Sequence, residues 1–69
     1  MMHAVDDQLT NREREVLCLL AAGHTDRKIA AFLTISHRTV NRHMSNICLK
    51  LDVPSRAAAA VHAVRNRLI

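Results

Sequence analysis

The stretch TISHRTVNRHMSNI, residues 34 to 47, gathers the side chains best suited to act on another molecule. At helical spacing Val40, Met44, Ile47 and Leu51 share one face, and His37, Arg38, Asn41, Arg42 and Ser45 fall on the other. An α-helix fits the major groove of B-DNA. There Arg donates bidentately to guanine, Asn pairs with adenine, and Ser serves either base. Lys50 lies further along, where a phosphate is the more natural target, and Thr25 and Thr39 sit near helix N-termini that offer hydroxyl and backbone donors to phosphate oxygens. A solvated polar face is the plain alternative, because two arginines on one side of a helix are common on any small protein.

Other chemistry has weaker support. His37 and His43 are six residues apart and point to different sides of a helix. No CxxC or HxxxH pair exists, so no metal or cofactor is expected. Glu13 and Glu15, two apart, cannot act as an acid–base pair. Cys18 and His24 have no orienting third group and no cleft, so no enzymatic activity is expected. His43 falls where an apolar side chain is usual in such a helix, and is expected to be partly buried and hydrogen-bonded.

The elements that must hold these residues are helices. The chain has 69 residues, 49% hydrophobic, with one Gly, one Pro, one Phe and neither Trp nor Tyr. Its core must therefore be built from Leu, Ile, Val, Ala and Met in one small domain. Strand-like alternation with Gly-rich turns is missing. Charge is unevenly placed. Residues 1–26 carry five acidic against two basic residues, net −3, and residues 27–69 carry eight Lys/Arg against Asp52 alone, net +7. A cationic segment beside an acidic one suits an oriented encounter with a polyanion. Phe32 is the single aromatic, too few for an amphipathic membrane helix. No transmembrane run or signal-peptide core is visible, so the chain reads as cytoplasmic, with Cys18 and Cys48 as reduced thiols.

Thr10-Asn11-Arg12-Glu13 spells a capping box and starts a first helix over about 11–22, with Glu13, Val16, Leu17 and Leu20 on one stripe and Gly23 past its end. Thr25 caps a second, over 26–33, with Ile29, Ala30, Phe32 and Leu33 apolar. Ser36 caps a third over 37–51, which Asp52-Val53-Pro54 stops. Ser55 caps a fourth over 56–68, with Ala57, Ala60, Val61, Val64 and Leu68 as its core stripe. The result is an all-α, four-helix domain over 9–69, preceded by a tail or linker remnant over 1–8. Its short second and longer third helices, joined by about three residues, form a helix-turn-helix. Ala30 is the small residue expected at their close approach. Thr34 stands where Gly often supplies positive φ, which leaves the shape of that turn open.

With these motifs in place, the chain resembles the C-terminal DNA-binding domain of LuxR/FixJ/GerE-type transcription regulators. The resemblance runs from residue 9 to about 68. Its matching pieces are Leu9-Thr10-x-Arg12-Glu13-x-Glu15-Val16-Leu17, Gly23-x-Thr25, Ile29-Ala30, Ile35-Ser36-x-x-Thr39-Val40-x-x-His43, Asn46-Ile47, Lys50-Leu51 and Val53-x-Ser55-Arg56. It implies sequence-specific binding of double-stranded DNA by an output domain whose third helix enters the major groove. Asn41, Arg42 and Ser45, with Arg38 beside them, would read bases. Thr25, Lys28, Thr39, His43, Lys50 and Arg56 would meet the backbone or brace the helix. The fourth helix would carry a homodimer through Ala58, Ala59, His62, Ala63 and Asn66, although the same alanines also suit tight packing on the core. RNA polymerase is a further candidate partner.

Three positions depart from the family pattern. Leu49 stands where a basic residue is usual, Cys48 where a larger apolar one is, and Asp52 where Gly is frequent. Region 4 of sigma factors shares an REREVL-like helix, but His43, Asn46-Ile47 and the helix after Pro54 favour the LuxR type. A helical interaction module that does not touch DNA is the rival from another class. No phosphoacceptor domain, autoinducer pocket or nucleotide-binding motif fits in 69 residues, so the chain is expected to be a fragment or a short regulator controlled from elsewhere.

Overall fold

The computed structural model describes residues 8–66, and these form four helices and no strand: α1 (Asn11–Ala21), α2 (Asp26–Leu33), α3 (His37–Leu51) and α4 (Arg56–Arg65). The first three end within a residue of expectation. Of the fourth, Leu68 lies outside the described residues, as do residues 1–7 of the expected tail.

The same device opens every helix. The hydroxyls of Thr10, Thr25, Ser36 and Ser55 accept the backbone N–H three residues on, from Glu13 (3.0 Å), Lys28 (3.2 Å), Thr39 (3.0 Å) and Ala58 (3.1 Å). At Thr10 the box is complete, since its own N–H donates to Glu13 Oε1 at 2.9 Å. Each cap stabilises by about 1 kcal/mol.

The helix ends repeat one motif as well. Gly23, Thr34 and Asp52 all have positive φ (97°, 56°, 56°). At each, the following N–H reaches back across the last turn: His24 to Leu19 O, Ile35 to Ala30 O, and Val53 to Cys48 O, at 3.0–3.1 Å. Only the first of the three turns uses glycine. Thr34, at φ 56° and ψ 46°, therefore takes the left-handed geometry that the helix-turn-helix demands. The turn keeps its shape in spite of a β-branched side chain, at a local cost of about 1–2 kcal/mol.

The core contains Leu9, Val16, Leu17, Ile29, Val40, Met44, Ile47, Leu51, Ala59 and Ala63, with Leu20, Ala30, Leu33, Ile35, Cys48 and Val53 packed at its edge. The α1 and α3 stripes point inward as their periodicity required. Cys48, with little bulk, sits at the margin, where burial pushes its thiol pKa up.

Two expectations fail. Phe32 is exposed, its ring in edge-on contact with the His24 ring at 5.1 Å between centroids. The fourth helix is turned by more than a third of a revolution from the expected stripe. Ala59 and Ala63, assigned to a dimer surface, are fully buried, and Val61 and Val64, assigned to the core, are 53% and 58% exposed. The reason is distance. α4 packs on both α1 and α3, close enough that methyl groups fill the seam and the bulkier valines are turned outward.

Candidate nucleic-acid interface

α3 lies with Val40, Met44, Ile47 and Leu51 buried, so its opposite side is presented to solvent along its whole length. Arg38, Asn41, Arg42 and Ser45 all stand there, exposed, and no hydrogen bond or ion pair ties their side chains to any described residue. Four polar groups thus remain free to bond outward on a rigid element. Ser36 fixes the start of this helix through the Thr39 N–H, and its hydroxyl also lies 2.9 Å from Thr39 Oγ1. Thr39 is half-buried and engaged in that local bond, at the edge of the outward face. Thr25, at the start of α2, uses its hydroxyl on the Lys28 N–H, while the Lys28 side chain is exposed and unpaired.

Two of the expected backbone cations, Lys50 and Arg56, are braced by carboxylates. Lys50 Nζ lies 2.7 Å from Glu13 Oε1, and Glu13 is only 4% exposed. Burial by itself would raise the Glu13 carboxyl pKa. The Lys50 hydrogen bond, the Thr10 N–H and the charges of Lys50 and His43 outweigh burial and hold it below its ordinary value. His43 is half-buried on this flank of α3, and no hydrogen bond to it exists among the described residues, contrary to the bonded histidine expected. Its imidazole lies near the Glu13 carboxylate.

At the other end of the face, Asp26 gathers two cations. Arg56 Nη2 bonds Asp26 Oδ1, and His37 Nε2 lies 3.6 Å from Oδ2, an ion pair when the imidazole is protonated. The first turns of α2, α3 and α4 are thereby linked through one carboxylate. Neither Glu13–Lys50, 37 residues apart, nor Asp26–Arg56, 30 apart, has a periodic signal in the sequence. The only trace of the first was Glu13, a charged residue on an apolar stripe.

Of the residues expected to meet DNA, Arg38, Asn41, Arg42 and Ser45 share one face. Thr25 caps α2 and Lys28 lies in its first turn, Thr39 and Lys50 lie in the first and last turns of α3, and Arg56 opens α4. The expected dimer set is divided. Ala58 and His62 are half-buried and Asn66 exposed, lining a shallow groove with Val53, Val61 and Arg65. Ala59 and Ala63 are inside the core. Among the described residues there is no cluster of three metal-ligating side chains, and no helix is long and apolar enough to cross a membrane.

Comparison with known proteins adds to this geometry. A family described as "Bacterial regulatory proteins, luxR family" matches residues 7–63. The transcriptional regulatory protein LiaR of Bacillus subtilis (strain 168) is 49% identical over 63 residues, which are 91% of this chain and 30% of LiaR. The transcriptional activator protein SolR of Ralstonia solanacearum is 48% identical over 61 residues, 88% of this chain and 26% of SolR. The chain thus spans less than a third of the length of these curated relatives. Among solved structures, that of the transcription factor GerE superposes with a TM-score of 0.80 at 35% identity, covering 96% of this chain and 94% of that one.

Proposed function

The chain belongs to the luxR family of bacterial regulatory proteins, and from that premise we propose that it binds double-stranded DNA sequence-specifically as the output domain of a transcription regulator. The observation that carries this reading is the free, exposed set of Arg38, Asn41, Arg42 and Ser45 on a helix whose other side is locked in the core. Donors already satisfied within the protein would have little left for base edges. Among the described residues these four have no other partner.

In this reading α3 enters the major groove with Arg38, Asn41, Arg42 and Ser45 toward base edges. Lys28, Thr25 and Thr39 meet phosphates from the two helix starts, while Lys50 and Arg56 meet the flanking backbone as His43 braces α3. The carboxylates of Glu13 and Asp26 hold Lys50 and Arg56 in place, so each cation reaches a phosphate from a fixed position with less side-chain entropy to lose. The contribution is binding rather than catalysis, needs no cofactor, and belongs in the cytoplasm over a unit running from residue 9 to 69.

Two copies are proposed to read paired half-sites through α4. The groove face of Ala58, Val61, His62 and Asn66 takes the place of the buried Ala59 and Ala63. RNA polymerase is the further partner proposed for the parent regulator. The likeness to luxR-type regulators favours this reading over a sigma-factor region or a DNA-independent interaction module.

In vitro selection from random duplex DNA tests the reading. A recurring motif of two related half-sites is expected. Recovery of unrelated sequences with affinity that varies only with salt would refute it.

A further inference from the structure

Leu49 is the most exposed large hydrophobic residue described, at 79%, and the DNA-binding reading so far gives it no task. Its position on α3 is specific. At 100° per residue, Arg38, Arg42, Ser45 and Leu49 fall within a sector of about 60°. That sector lies opposite Val40, Met44, Ile47 and Leu51, so Leu49 stands near the midline of the outward face. It is one turn beyond Ser45, in line with the free polar groups.

The same arithmetic gives its reach. Eleven residues separate Arg38 from Leu49, about 16 Å along the axis at 1.5 Å per residue. This corresponds to about five base pairs at 3.4 Å each. A leucine has no donor for a phosphate. The apolar group that a base pair presents in the major groove is the C5 methyl of thymine. Elsewhere on this outward stripe the side chains are cationic or polar, which argues for a nucleic-acid surface and against a lipid or an apolar protein partner at this spot.

Resting on the DNA-binding reading above, we infer that Leu49 is a specificity-determining residue that packs on a thymine methyl at one end of the half-site. A lysine there would supply a sequence-independent contact. Leucine replaces it with a contact that depends on the base. Binding to random DNA is correspondingly weaker and less steeply salt-dependent than it would be with a basic residue at 49.

The test uses the selected operator, replacing each thymine in turn by deoxyuridine, which removes only the methyl. One thymine per half-site is expected to cost the wild type about three- to fivefold in affinity, the scale of one buried methyl group. Leu49→Ala and Leu49→Lys should both be indifferent at that position. Leu49→Lys should also bind random duplex more tightly, its salt slope steeper by about one unit. All three proteins should melt together, because the side chain is 79% exposed and buries little apolar area.

If the deoxyuridine profile is the same for wild type and Leu49→Ala, Leu49 does not read the methyl and the inference falls while the DNA-binding reading stands. If Leu49→Ala weakens paired half-sites but leaves a single half-site unaffected, its partner is a second copy of the chain, which also overturns the inference. If the wild type selects no motif, the underlying DNA-binding reading has failed, and this inference goes with it.

Discussion

Replacing Glu13 by Gln separates the charge of the Glu13–Lys50 pair from its shape. The amide oxygen still accepts the Thr10 N–H that Glu13 Oε1 accepts at 2.9 Å, so the capping box survives. What disappears is the charge facing Lys50 Nζ at 2.7 Å. A hydrogen bond between charged groups contributes about 1.5–3 kcal/mol. The amide oxygen can still accept from Lys50, which is 32% exposed and can regain water, so the loss falls below that range, at about 1 kcal/mol. For a domain of this size that is a fall in Tm of about 4–8 °C at pH 7.

The pH dependence gives the sharper check. The folded carboxyl sits below its ordinary value of 4.5, so its stabilisation is complete above that pH and is lost as pH falls through the folded pKa. Glu13→Gln has no such group to protonate. Melting curves of the two proteins should therefore differ at neutral pH and converge in the acid range. A gap of unchanged size at pH 3, or none at pH 7, would refute the argument that the ion pair braces α3 on α1.

Other outcomes follow from the same geometry. Thr34→Gly should stabilise the domain by about 0.5–1 kcal/mol in urea unfolding, since relief of left-handed strain at φ 56° exceeds the added freedom of the unfolded chain; destabilisation would count against strain there. Ala63→Leu should cost about 1–3 kcal/mol by overfilling the α4 seam, whereas Val61→Glu should leave melting within about 0.5 kcal/mol and weaken binding to paired half-sites. Equal paired-site binding by wild type and Val61→Glu would remove the exposed α4 face as the dimer surface. Lys50→Ala should flatten the salt dependence of binding by about one unit, and an unchanged slope would confine Lys50 to its partnership with Glu13.

Where the sequence was legible, the physics was local. Thr10, Thr25, Ser36 and Ser55 each cap the helix that follows them, and these bonds span three residues. The α3 stripe of Val40, Met44, Ile47 and Leu51 was equally readable, because large residues at spacings of four and three leave one choice of buried face. Hydrophobicity misled in α4. Val61 and Val64 outrank alanine in apolar area, but the gap left by α1 and α3 admits only Ala59 and Ala63. That gap belongs to the packed tertiary structure and has no counterpart in the α4 sequence. Phe32 went the same way on an eight-residue helix whose inward side is covered by Ile29. The ion pairs of Glu13 and Asp26 join residues 30 or more apart and leave no periodic mark. The four free polar groups of α3 were legible as a face; that nothing in the described fold occupies them required the fold itself.

If α3 reads bases, Arg42 carries a base contact whose loss can be measured. The affinities of wild type and Arg42→Ala would be measured side by side on the selected operator and on random duplex at one salt concentration. Loss of a base contact predicts a cost of about 1–3 kcal/mol on the operator, with a relaxed preference at one base pair and a much smaller change on random DNA. Equal weakening on both DNAs would make Arg42 a backbone contact and contradict the account.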